Sequence, residues 1–193
     1  MNINLPNFIT LGRVIAVPVV FWLLLTERPM AAFVVFVAAG ISDAVDGWLA
    51  KRFKLQTELG AYLDPLADKL LIVSIYIALG VRGEIPLWLV LAVVSRDVLI
   101  LAAVMLSWIM DHPVVIRPLA VSKANTAAQI VLASLVLADE AFKFGLEGPR
   151  IVAVWMTGIL TLLSLAAYLK AWLEHMAQPA VPKAPRGEAG PGR

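Results

Sequence analysis

The sequence predicts an all-α, polytopic membrane protein with six transmembrane helices. Hydrophobic residues fill 61% of the 193 positions and charged residues only 16%, whereas a soluble domain is about half apolar and about a quarter charged. Mean hydropathy is +0.85, and the apolar residues are spread over most of the length, so a single domain is expected. The apolar runs approach bilayer-crossing length, about 20 residues, and short segments rich in Pro, Gly or charge separate them.

Each element follows from local pattern. Residues 1–9 are short and semi-polar and are expected to lie along the membrane surface as an interfacial segment. They lack the basic start of a cleavable signal peptide, so the first apolar run is expected to stay in the mature chain. The first span covers residues 10–25, with Arg13 near its start. Arg13 either snorkels to the headgroups or contacts a phosphate. Residues 26–29 form a tight turn. The second span, 30–49, carries Asp43 and Asp46 in its last two turns, with Lys51, Arg52 and Lys54 directly after it. The third, 60–79, carries Asp64 and Asp68 near its start, and Pro65 is tolerated there if it falls where amides have no helical acceptor. After a turn at 81–85, the fourth span, 86–109, holds Arg96 and Asp97 inside an apolar run. Residues 111–122 form a loop with His112 and Arg117, the fifth span is 123–138, 139–148 is a polar turn, and the sixth span is 149–171. Residues 10–172 thus form one transmembrane domain. The Pro, Gly, Ala and charge-rich stretch 178–193 reads as a disordered tail.

Several classes are excluded. Net charge is only +2, so the pI near 9.0 does not argue for a nucleic-acid partner. The absence of cysteine rules out disulfides and thiolate metal sites. Six spans place both termini and the 50–59 and 111–122 segments on one side, with Lys51, Arg52, Lys54, Arg117 and Lys123. That side is richer in Lys and Arg than the side of Arg28, Arg82, Lys143 and Arg150. The basic side, with both termini, is therefore expected to be cytoplasmic.

The chemistry concentrates in residues 42–69. Asp43 and Asp46 are three apart, and Asp64 and Asp68 four apart, so each pair shares a helix face. Carboxylates in an apolar setting are costly unless a cation offsets them. If the two helices adjoin, the four converge, and an all-oxygen donor set suits a hard divalent cation. Asp68 lies about 12 Å along the helix from Gly60, so both pairs are recessed below the same membrane face. A cation transporter would instead distribute acids across the membrane depth. Clustered acids beside basic residues favour a phosphate site.

The order Asp43-x-x-Asp46-Gly47-x-x-Ala50-Lys51, eight residues, then Gly60-x-x-x-Asp64-x-x-x-Asp68 resembles the CDP-alcohol phosphotransferase signature. It departs from that signature at one position, where Lys51, followed by Arg52, stands for the family's Arg. The start L-P-N-F-I-T-L-G-R-V resembles phosphatidylglycerophosphate and cardiolipin synthases. The later stretch S-K-A-N-T-A-A-Q is closer to the mitochondrial-type cardiolipin synthases, and the likeness covers about residues 4–172. The resemblance implies two bound Mg or Mn ions, with Asp43, Asp46 and Asp64 as ligands. It implies Asp68 as the general base, also touching the second metal. It implies transfer of a phosphatidyl group from CDP-diacylglycerol to phosphatidylglycerol, or alternatively to glycerol 3-phosphate, with CMP leaving, by a homodimer in the lipid membrane.

Further candidates are weighed beside this. Gly47 and Gly60 permit close approach of a nucleotide or tight helix packing, and within the motif nucleotide contact is favoured. Lys51 or Arg52 would hold the diphosphate, although Lys is a point charge and Arg a two-donor fork. Asn7 and Thr10 are polar candidates for the nucleotide. Arg96, Arg117 and Lys123 are candidates for the acceptor's phosphate, Arg96 having the alternative of an internal ion pair with Asp97. Ser122, Asn125, Thr126 and Gln129 either bond between helices or line the site. His112 and His175 are expected to be solvated, and Trp48 and Trp172 to anchor at the interface.

Overall fold

The computed structural model describes residues 5–53, 58–110 and 120–177; side-chain surroundings are described within these for residues 12–45, 67–107, 109–110 and 120–177. Six helices follow one another: α1 (Leu5–Leu25), α2 (Pro29–Phe53), α3 (Glu58–Val81), α4 (Leu87–Ile109), α5 (Ala120–Phe142) and α6 (Glu147–Met176). α1 packs on α2 and α3, α5 on α6 and α2, and α4 on α6 and α3, while α3 also touches α5. α2 and α3 therefore both join the two halves of the bundle.

The helices begin and end for identifiable reasons. Pro29 opens α2 at a position where the missing amide costs nothing. At the end of α1, Arg28 N–H donates to the Leu23 carbonyl at 2.9 Å with Glu27 in the left-handed region at φ 56°. At the end of α3, Glu84 N–H donates to Leu79 at 2.9 Å with Gly83 at φ 75°. Both closures satisfy terminal carbonyls through a left-handed residue.

Some boundaries differ from the pattern-based ones. α1 is already helical at Leu5, so residues 5–9 continue the first helix rather than forming a separate segment; Pro6 is tolerated in the opening turn. α2 runs on through Lys51 and Arg52. Because α3 starts at Glu58, Pro65 is interior to the helix and not in its first turn, which leaves the Ala61 carbonyl without its usual amide donor. α5 starts at Ala120 and continues to Phe142, so Ser122, Asp139 and Glu140, read as loop residues, are helical. Pairing explains the later end: Glu140 meets Arg82, and the Asp139 carboxylate accepts from Leu146 N–H at 3.0 Å. His112 and Arg117 lie outside the described residues.

The packed core centres on Leu24, Ile75, Tyr76, Leu79, Leu89, Val93, Leu132 and Leu137, all essentially inaccessible. The polarity is otherwise inverted relative to a soluble protein. Buried positions include Arg13, Arg96, Asp97, Asn125, Gln129, Thr157, Thr161 and Ser164, while Ile15, Val34, Leu91, Leu101, Met105, Trp155 and Leu162 are exposed. Apolar outside and polar inside is the distribution a hydrocarbon solvent favours. Among the described residues, three helical stretches are long and apolar enough to cross a membrane: Leu87–Ser107, Ala120–Phe142 and Glu147–Met176. Gly12–Leu25 and Pro29–Val45 are shorter apolar stretches. Pro18 sits inside α1 without ending it, as membrane helices tolerate.

Close approach of α3 and α4 depends on Gly80. A Cβ there would meet Val90 Cγ2 at 2.6 Å, and a buried β-branched side chain has little freedom to yield. Gly80→Ala should destabilise the protein by about 1–3 kcal/mol through overpacking, despite Ala's helix preference. Val90→Ala in the same chain should recover part of the loss. Melting of the single and double variants in detergent checks this, and strict additivity would show that the contact does not limit packing.

Candidate active site

Asp43 on α2 and Asp68 on α3 meet at one guanidinium. Arg13, 3% exposed on α1, donates from Nη1 to Asp68 Oδ1 at 2.6 Å, and its Nη2 lies 2.7 Å from Asp43 Oδ1. The second contact is an ion pair outside hydrogen-bond geometry: Nη2 and Nε are buried without a hydrogen-bond partner among the described residues. The carboxylates remain partly open, with side chains 45% and 43% exposed. Arg13 therefore does not snorkel; it is buried between two carboxylates, which sequence reasoning missed. The signal was available, since Arg13 lies near the start of the first apolar run, toward the aspartates' membrane face.

Asp46 and Asp64 lie on the same two helices, about one turn from Asp43 and Asp68; their side chains are outside the described set. So are those of Asn7, Thr10, Gly47, Lys51, Arg52 and Gly60. Among the described residues no group of three or more metal-ligating side chains is assembled. The donor set still fits a hard cation. Two of the four carboxylates converge from different helices on a single positive group, and among the described residues one cation faces two carboxylates there.

A second charged cluster begins at the next residue of α3. Lys69 Nζ lies 2.5 Å from Asp97 Oδ1, and the same oxygen accepts from Arg96 Nη1 at 2.7 Å. Arg96 Nη2 donates to Ser122 Oγ at 2.6 Å and to Ser164 Oγ at 2.7 Å, and the guanidinium stacks over Tyr168 at 5.4 Å. Four helices, α3 to α6, thus meet at Asp97 and Arg96. Both η nitrogens of Arg96 are engaged and the residue is 3% exposed, so in this conformation it acts as the internal ion pair of its bland reading. Lys69, with its side chain 40% exposed, is the accessible cation here, and sequence reasoning did not single it out. Lys123 is exposed in the first turn of α5, next to Ser122. Two cations against one carboxylate give this cluster net positive charge.

The polar residues of α5 mostly tie helices together. Thr161 donates to Asn125 Oδ1 at 2.9 Å, the Tyr76 hydroxyl to the Gln129 carbonyl at 3.1 Å, and Thr126 to the Ser122 carbonyl of its own helix at 3.1 Å. Trp172, read as an interface anchor, also ties α6 to α4 by donating to Ser107 Oγ at 2.8 Å.

An all-helical bundle with an apolar exterior and buried charged clusters defines a membrane protein. The family profile described as CDP-alcohol phosphatidyltransferase matches residues 3–169, and the chain belongs to that family. It is 35% identical over 157 residues to a cardiolipin synthase (CMP-forming) of Rattus norvegicus, covering 73% of this chain and 52% of that one. It is 32% identical over 180 residues to a cardiolipin synthase (CMP-forming)/mitochondrial hydrolase fusion protein of Schizosaccharomyces pombe, covering 86% of this chain and 30% of that one. It is 32% identical over 189 residues to a CDP-diacylglycerol–glycerol-3-phosphate 3-phosphatidyltransferase of Escherichia coli, covering 89% of this chain and 96% of that one. The chain thus spans about half or less of the first two relatives and nearly all of the third.

Removing Arg96 would leave buried Asp97 with only the partly exposed Lys69 and deprive Ser122 and Ser164 of their charged donor. Arg96→Met should therefore cost about 3–5 kcal/mol of stability, and Ser164→Ala, which removes one hydrogen bond to a charged group, about 1.5–3 kcal/mol. Chemical denaturation in mixed micelles checks the order; equal, small losses would mean that water replaces these contacts.

Proposed function

We propose that this chain transfers the phosphatidyl group of CDP-diacylglycerol to phosphatidylglycerol, forming cardiolipin and CMP. The observation that carries the reading is the convergence of Asp43 and Asp68, from two helices, on one buried cation. Two residues far apart in sequence, both fixed positions of the motif, are brought together where a cation is required. The likeness of the 122–129 segment to the mitochondrial-type cardiolipin synthases supports the acceptor, and Ser122 of that segment bonds Arg96.

The reaction is a substitution at phosphorus. The acceptor's hydroxyl oxygen forms a bond to the phosphatidyl phosphorus as the bond from that phosphorus to the CMP oxygen breaks. The hydroxyl proton passes to the Asp68 carboxylate, the general base, and CMP leaves with the bonding electrons. Asp43, Asp46, Asp64 and Asp68 would hold one or two Mg or Mn ions, which when bound neutralise the diphosphate and stabilise charge on the leaving phosphate. Gly47 and Gly60 would give the nucleotide access to the backbone, Asn7 and Thr10 would offer it polar contacts, and Lys51 or Arg52 would hold the diphosphate. The net positive cluster of Lys69, Arg96 and Asp97 attracts the acceptor's phosphate, with Lys123 and Arg117 as further basic contacts. All six helices cross the bilayer, with both termini and the site at the cytoplasmic face. A homodimer belongs to the same proposal on the family resemblance.

Glycerol 3-phosphate is the second reading, favoured by the near-complete coverage of the E. coli relative. Purified protein given CDP-diacylglycerol, Mg or Mn and one acceptor at a time separates the two. Cardiolipin from phosphatidylglycerol alone supports the first; phosphatidylglycerophosphate from glycerol 3-phosphate alone moves the protein to the second. Absence of metal-dependent CMP release with any alcohol would refute the catalytic reading.

Asp68→Asn should lower kcat by about 10²–10⁴-fold, the usual contribution of a general base, with the fold retained. Lys69→Met should mainly raise the KM for the acceptor, because it removes a charge that attracts the acceptor before and during reaction. Steady-state kinetics check both. A kcat loss without a KM change for Lys69→Met would reassign Lys69 to the chemical step.

A further inference from the structure

We propose that Arg13 is a resident counter-cation of the carboxylate centre. Without a divalent ion its guanidinium holds Asp43 and Asp68 together; a bound ion takes over their Oδ1 atoms and displaces it. The proposal rests on the reading of these aspartates as metal ligands.

Three features carry it. Arg13 contacts the same two side chains, one per helix, that the motif places at the metal. A guanidinium and a divalent ion compete for the same lone pairs, and a fixed positive charge at that distance opposes a second. Next, Arg13 is held loosely for a buried arginine. It has five donors, yet Nε and Nη2 have no hydrogen-bond partner among the described residues. Arg96, equally buried and also without a partner at Nε, is fixed through both η nitrogens by Asp97, Ser122 and Ser164. Finally, the access is one-sided. Arg13 is 3% exposed, while the two carboxylate side chains are 45% and 43% exposed. An ion can therefore reach the aspartates from their open side while the guanidinium sits behind them.

The alternative role is purely structural: Arg13 would gather the carboxylates and thereby assist metal binding. The two roles predict opposite signs. Wild-type, Arg13→Gln and Arg13→Lys proteins would be purified with Mn, stripped with a chelator, and titrated with Mn by calorimetry and by thermal melting. Arg13→Gln is expected to bind Mn about tenfold more tightly (about 1.4 kcal/mol). It should melt lower than wild type when stripped and close to it at saturating Mn. Arg13→Lys, which keeps a charge but not the fork, should fall between, and carries the comparison if stripped Arg13→Gln does not stay folded. Unchanged or weaker Mn binding in the variants would overturn the proposal and leave the aspartates as ligands. If wild-type protein took up no Mn, the metal reading would fall and the proposal with it.

Discussion

Charge buried in an apolar bundle must be balanced within the bundle, and the helix arrangement follows from that requirement. An uncompensated ionised side chain away from water costs several kcal/mol. Arg13 answers it on one side by pulling α1, α2 and α3 to a common point. Asp97 answers it on the other by joining α3 and α4 through Lys69 and Arg96, and Arg96 extends the tie to α5 and α6. Apolar packing in a membrane has no water-driven preference for one helix neighbour over another, so these directional contacts favour one arrangement over its competitors.

α3 is where the two systems meet. Asp68 and Lys69 are adjacent, and neighbouring helical residues point about 100° apart. One turns toward α1 and α2, the other toward α4. A single helix therefore presents a negative centre and a positive cluster side by side. A phosphoryl-transfer site needs both: carboxylates to hold metal and accept a proton, and cations to bind anionic substrates.

The helix count and the loops at 26–29 and 81–85 were legible because each rests on local pattern: apolar run length and turn residues. Helix ends were less legible. Asp139 and Glu140 look like loop residues in isolation, but Arg82, more than fifty positions earlier, pairs with Glu140 and keeps the last turn of α5 inside the bundle. The same distance effect hid the roles of Arg13 and Lys69. The local interpretations of Arg13, snorkelling or a phosphate contact, name no acid partner, and Lys69 sits in the middle of its helix; only the packing of α1 and α4 on α3 shows which acid each faces. Arg96 shows the converse. Its bland reading was available from its neighbour Asp97, but the serines that complete its cage lie 26 and 68 positions away.

Charge balance also separates structural from functional clusters within this chain. At the far end of α3, about 20 Å from Asp68 by helical rise, Arg82 pairs with Glu140 and Arg150 with Glu84 at 3.0 Å. Each cation there has one acid, and the group closes the α3–α4 turn onto the ends of α5 and α6 with no charge left over. Among the described residues, the clusters at the motif end are unbalanced in opposite senses, with two acids at Arg13 and two bases at Asp97. A fold selected for stability alone gains nothing from such imbalance, because a neutral cluster or an apolar replacement is no worse. The imbalance is tolerable where ligands of opposite charge complete it. The negative centre then suits a metal ion, and the positive cluster beside it an anionic phosphate.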